Sequence, residues 1–306
     1  MASRDRRPHS HPVILDSIFL NPLTERDRRW PRIGMMALAL PGAFLAVMIV
    51  GGLVAGLFFH GDFFADAGGP RLRRSAIFVL QLGAVLGALA LAIMLAARKI
   101  FDRPLRTWLT GAPRFRWGLL VWGAGATALG VGVLMLGDAT LLHGDYQLPI
   151  LDPSADIGLK LTYLTAVVIG LFAAASAEEV VFRGYLLQQT AALTRNGWVV
   201  IAINAALFAL MHMEFDPAAL AARALAGAAF AWAALRLGGL EFAIGAHVAT
   251  NLMIALFGAP MLPDDPAASG DMDDIVTEVI LAFYMVWTVE MTRRMPRLLG
   301  TISSPA

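Results

Sequence analysis

Two adjacent carboxylates and an arginine (Glu178, Glu179 and Arg183 in "AEEVVFRG") follow sixteen uncharged residues, "LTYLTAVVIGLFAAAS" at 161–176. Further on, "NAALFALMH" sets Asn204, Phe208 and His212 four residues apart, one stripe of one helix. "HVATN" sets His247 and Asn251 one turn apart on another helix. The chemistry this set could perform is hydrolysis. A carboxylate buried beside histidines can take a proton from water. Histidine and asparagine can donate hydrogen bonds to an oxyanion in a low-dielectric site. One glutamate and two histidines also make a known catalytic zinc set, with water in the open position.

Other hydrolytic routes are excluded. The chain has no cysteine, which removes thiolate zinc sites, disulfides and a cysteine nucleophile. It contains neither GxSxG nor HExxH, so neither a serine-hydrolase elbow nor the helix-borne zinc-protease motif applies. The net charge is +1, and no nucleic-acid partner is expected.

Each residue also has a plainer reading. A lone intramembrane histidine or asparagine commonly bonds one helix to another, and Glu179–Arg183 at i, i+4 suits a structural ion pair. Glu178 lies about 100° round the helix from Glu179, so the same arginine cannot easily serve both. A non-catalytic scaffold would have no need of this second carboxylate. A small-solute transporter with a polar midplane site would favour internal repeats, and the sequence shows none.

The elements that must position these groups are membrane helices. Hydrophobic residues make up 58% of the chain and charged residues 15%, against about 45–50% and about 25% in soluble proteins. The expected fold is an all-α, polytopic membrane helix bundle. A span needs about 20 apolar residues, and eight candidates lie near 35–59, 75–97, 117–137, 161–187, 198–215, 218–236, 239–257 and 275–291. The fourth could end at Ser176 or run through to Gln188. Counting about 1.5 Å per residue from turns near 190–197 and 237–239 puts Glu178 roughly 18 Å, His247 roughly 12 Å and His212 about 20 Å inward. The three can meet only if the fourth span continues. Gly52 with Gly56, and Gly83 with Gly87, form GxxxG pairs expected to mark close helix contacts.

Charge then sets the orientation. The first 34 residues carry seven arginines; "ARKIFDRPLRTWLTGAPRFRW" and "MTRRMPR" are basic, whereas the loops after the third and seventh spans lack Lys and Arg. Both termini are expected in the cytoplasm of a bacterial inner membrane, with no cleavable signal peptide. One loop dissents, because Arg71, Arg73 and Arg74 fall on the side the rule leaves bare. The expected organisation is a cytoplasmic tail (1–34, with His9 and His11 read as mobile), N-terminal transmembrane helices (35–150), a catalytic core with the last span (151–291) and a cytoplasmic tail (292–306).

At the polar residues the sequence resembles the CPBP family of intramembrane proteases (also called Abi proteins). That family includes the CAAX prenyl endopeptidases that trim prenylated Ras-like proteins. Its motifs EExxxR, FxxxH and HxxxN read here as Glu178-Glu179-Val180-Val181-Phe182-Arg183, Phe208-Ala209-Leu210-Met211-His212 and His247-Val248-Ala249-Thr250-Asn251, complete and in order. The likeness covers residues 160–257 and does not extend over the first 150. It implies that Glu178 is the general base acting on water with help from His212. It further implies that Glu179 and Arg183 orient His212, and that His247 and Asn251 stabilise the oxyanion. The family is generally catalogued as metalloproteases, although a metal-free glutamate mechanism has also been argued. If Zn²⁺ is bound, Glu178, His212 and His247 are the expected ligands. The implied partners are the lipid bilayer and a membrane-associated peptide or protein substrate. A prenylated substrate would be unexpected in a bacterial chain, and family likeness does not name the target.

Overall fold

The structure, a computed structural model, describes residues 16–58, 69–194, 196–262 and 272–299. His9 and His11, part of the dissenting loop, the stretch 263–271 and the last residues of the C-terminal tail lie outside them. In hydrocarbon every backbone group must be satisfied within its own segment, so long apolar runs become helices. They are α1 (Trp30–Phe58), α2 (Arg71–Phe101), α3 (Trp117–Gly137), α4 (Ile157–Glu179), α5 (Leu187–Leu193), α6 (Gly197–Met211), α7 (Pro217–Leu237), α8 (Glu241–Met253), α9 (Met272–Thr292) and α10 (Pro296–Leu299). Among the described residues there is no strand, only an isolated bridge between Thr110 and Gly239.

Seven helices are long and apolar enough to cross a membrane, one fewer than expected among the described residues. The exception is α6, expected to run to residue 215. It stops at Met211 after 15 residues, a length of about 22 Å against a hydrocarbon core of about 30 Å. Met213 turns the chain in the left-handed region with φ of 52°. Asp216 then starts α7 by accepting hydrogen bonds from the Ala218 and Ala219 amides, with Pro217 at the first helical position.

The fourth span does not end at Ser176. It continues through a π-helical segment, Val180–Leu186, into α5, forming one rod from Ile157 to Leu193. The rod lies parallel to α2: Leu72 and Val79 pack with Tyr163 and Leu171, and further on Met94 packs with Val181 and Tyr185. A Cβ on Gly83 would collide with the backbone of Gly170, which explains why the two helices can touch there. Gly52, Gly56 and Gly87 have nothing within 4 Å of an added Cβ, so three of the four GxxxG glycines mark no close contact. The other close approaches use Gly123 against Phe242 and Gly245 against Leu120, which join α3 to α8. Helix α1 is outermost. It rests on α2 through Met36 and turns Leu38, Leu45 and Leu53 outward.

The basic end of the bundle is sealed by buried ion pairs. Residues 16–29, expected as part of a tail, fold back onto the helices. Phe19 is fully buried in the cluster of Leu187, Val200, Leu235 and Leu240. Asp27 is fully buried and accepts from Arg103 at 2.9 Å, Arg103 also donates to Gln188 Oε1 at 2.6 Å, and the Gln189 amide donates to the Asp27 carbonyl at 2.8 Å. Burial pulls the Arg103 guanidinium below its usual pKa, while the hydrogen bond and charge of Asp27 act to raise it. Arg116 forks onto buried Glu241 at 2.9 and 2.7 Å, tying the start of α3 to the start of α8. The arginines gathered at this end of the bundle therefore also close it structurally.

Candidate active site

Glu178 and Glu179 end α4, and the π-helical segment that follows carries Arg183. Such segments widen a helix locally and recur at functional sites. Neither the Glu179 nor the Arg183 side chain has any exposure, and they pair at 2.9 Å. Arg183 Nη2 also donates to the Gly227 carbonyl at 3.1 Å. Its guanidinium lies 4.2 Å from the ring centre of Phe208 and 5.1 Å from that of Phe230, close enough for cation–π attraction in a desolvated setting. A Cβ on Gly227 would press at 3.0 Å on Ala205, so this glycine lets α7 lie close against α6, which carries Phe208.

The buried pair serves His247. Glu179 Oε1, already bonded to Arg183, accepts from His247 Nδ1–H at 2.9 Å. This corrects the relation implied by the resemblance, in which Glu179 and Arg183 orient His212. With Nδ1 committed, Nε2 faces the other way, and Glu178 Oε2 lies 3.8 Å from it. The two glutamates thus diverge as their angular separation requires, one bound to arginine and one not. His212 closes α6 and is exposed; its Nδ1–H donates to the Phe208 carbonyl at 2.8 Å. Both histidines are therefore tied through Nδ1 and present Nε2, a tautomer assigned from the hydrogen-bond network. Phe208 sits between them, its ring centre 4.8 Å from that of His212 and 6.0 Å from that of His247.

Glu178 and His212 share the wall of a cavity of about 580 Å³. The remaining lining is apolar and includes Leu40 and Phe44 of α1, Ile93 of α2, and Val181 and Phe182 of the π-helical segment. Asn251 is half-buried one turn beyond His247 on α8. Asn204 does not join the group. It is fully buried, and its side-chain amide donates to the Phe182 carbonyl at 2.7 Å, so it holds α6 to the π-helical segment.

Among the described residues no three histidine, aspartate or glutamate side chains converge as a metal-binding group. Glu178 and His247 approach one another, but Glu178, His212 and His247 do not gather into one ligand set.

Phe230 is a participant that sequence reasoning missed. Its ring stacks on His247 with centres 5.0 Å apart and planes 18° apart. Within "LAGAAFAWAAL" it reads as an ordinary apolar residue of α7, and only its spacing from Gly227, on the same face, hinted at a helix contact. Phe230→Leu removes the flat support, so the imidazole can tilt away from both carboxylates. The expected result is a kcat lower by about tenfold to a hundredfold with KM little changed. An unchanged kcat in the folded variant would show that stacking does not hold the ring.

A helical integral membrane protein with this arrangement has counterparts. Residues 160–253 match the family model described as type II CAAX prenyl endopeptidase Rce1-like. That span contains Glu178, Glu179, Arg183, His212, His247 and Asn251, so over it the chain is similar to that family, in line with the resemblance read from the three motifs. The chain is also 30% identical over 172 residues to the uncharacterized protein YyaK of Bacillus subtilis (strain 168), an alignment covering 54% of this chain and 56% of YyaK. The chain thus spans about half the length of that relative. No solved structure matches it significantly.

Proposed function

We propose that the protein is an intramembrane endopeptidase that hydrolyses a peptide bond of a membrane-associated protein or peptide, with Glu178 activating water. The observation that carries this reading is the placement of Glu178. It faces an otherwise apolar cavity shared with His212, while directly behind it His247 is anchored by a buried ion pair. An apolar peptide segment can enter such a cavity from the bilayer, and water can be held only at its polar wall.

In the proposed reaction Glu178 takes a proton from water, and the oxygen bonds to the scissile carbonyl carbon. The carbonyl electron pair moves onto its oxygen, which accepts hydrogen bonds from the Asn251 amide and, in the imidazolium form of His247, from its Nε2–H. Collapse re-forms the carbonyl and breaks the C–N bond, and Glu178 passes its proton to the leaving amine. His212 Nε2 orients the water. Glu179 and Arg183 act through His247 by fixing its tautomer and direction. No step is routed through zinc; Glu178, His212 and His247 are the residues that would hold the ion if it is bound.

The test is incubation of purified wild type and Glu178→Ala with a membrane-proteome library, repeated after exhaustive chelation. Cleavage products unique to wild type and resistant to chelation are expected. Equal products from both proteins would sink the assignment, and loss on chelation with recovery on added zinc would replace the metal-free mechanism.

The same reading places both termini in the cytoplasm of a bacterial inner membrane, supported by the arginine-rich loops gathered at one end of the bundle. A reporter fused after Ala306 should be cytoplasmic, and a tag in "PMLPDDPAASG" should be reachable only from outside. Opposite labelling would invert this topology.

A further inference from the structure

We propose that the groove between α2 and α4 near their N-terminal ends holds an anionic glycerophospholipid, with its acyl chain in the groove and its phosphate on Arg73. The starting point is the group of arginines that breaks the charge rule. Arg71 is engaged, donating from Nη1 to Gln147 Oε1 at 2.8 Å, and Arg74 has a partner as well. Arg73 is exposed and has no ion pair or hydrogen bond among the described residues. It stands instead at one end of a cavity of about 520 Å³.

The walls of that cavity are Ile77 and Leu80 of α2 and Leu161, Ala166 and Ile169 of α4. The hydroxyls of Thr162 and Thr165 also face this region, but each is bonded back to its own helix, to the Gly158 and Leu161 carbonyls at 2.8 Å. They leave the groove apolar and Arg73 its one charged group among the described residues. From Leu161 to Ile169 it extends about 12 Å along α4, suited to the upper part of an acyl chain with its head at the helix ends. It shares no lining residue with the cavity at Glu178, so the site is independent of the catalytic reading.

An occupant must be apolar along most of its length and anionic at one end. A second copy of this chain would cover the apolar walls but would bring no identified anion to Arg73, whereas a phospholipid supplies both parts. The position also accounts for a cation on the face that the loop charges otherwise leave bare.

The experiment is native mass spectrometry of the full chain released from vesicles containing equal phosphatidylglycerol and phosphatidylcholine. Wild type is expected to retain phosphatidylglycerol preferentially. Arg73→Gln should reduce that preference about fivefold, the effect of one cation near an anionic surface, and Arg73→Lys should keep most of it. Leu161→Trp, which fills the groove from an exposed position, should lower retention of both lipids. Equal retention of the two lipids by wild type, or an unchanged preference in Arg73→Gln, would overturn the proposal. Recovery of lipid-free dimers that Leu161→Trp dissociates would overturn it in favour of a second copy.

Discussion

Glu178→Gln is expected to lower kcat by about 10²- to 10⁴-fold, the range for loss of a general base, while the unfolding midpoint stays within a few degrees of wild type. The two halves of this result have separate causes. The carboxylate faces the cavity, and His247 Nε2 lies 3.8 Å from it, beyond hydrogen-bond length. Removing its charge strands no buried partner. Glutamine keeps the volume and shape but cannot accept a proton from water, so only the reaction should suffer. Turnover and thermal unfolding measured on the same preparation separate the two effects. Full activity in a folded Glu178→Gln protein would remove Glu178 from the mechanism.

Arg183→Ala is expected to do the reverse in degree, costing about 3–5 kcal/mol of stability as well as activity. Glu179 and Arg183 have no exposure at all, so deleting the guanidinium leaves a carboxylate in low dielectric with His247 as its remaining hydrogen-bond donor. The deletion also empties the space between Phe208 and Phe230. The double variant Glu179→Gln with Arg183→Met should recover much of the stability, because a neutral pair of similar volume needs no compensating charge. It should not recover activity, since the carboxylate that directs His247 is gone. Denaturant unfolding with turnover on both variants checks this. A single variant as stable as wild type would mean that the pair is solvated, and a double variant with restored turnover would reduce it to a packing element.

The helices were legible because the bilayer imposes one backbone solution on any long apolar run. The helix limits lie within about four residues of the apolar stretches read for α2, α3, α7 and α9. The polar residues of the site were legible for the same reason: charges and histidines stand out where almost everything else is apolar. Even the divergence of Glu178 from Glu179 follows from about 100° per residue. The shortness of α6 was less visible, because "MHMEFDPAAL" stays largely apolar past the helix end. There the turn at Met213 and the cap at Asp216 outweigh hydropathy. The packing of residues 16–29 was hidden too, since the apolar run Ile18–Leu20 is too short to mark an element, Asp27 stands among other charges, and their partners lie far along the chain.

By itself the sequence determined which residues could do chemistry, their order, and the helices that carry them, since local spacing and hydropathy are properties of one segment at a time. Only the tertiary structure decided that the buried pair holds His247 instead of His212, that Phe230 backs the imidazole, and that Glu178 opens into an apolar cavity with His212. These outcomes depend on how α7 meets α6 at Gly227 and on how α8 packs against α4 beside the π-helical segment. Hydrogen bonds form or fail over differences of a few tenths of an ångström. Such distances between helices arise from packing many residues at once, and no spacing within a single helix encodes them.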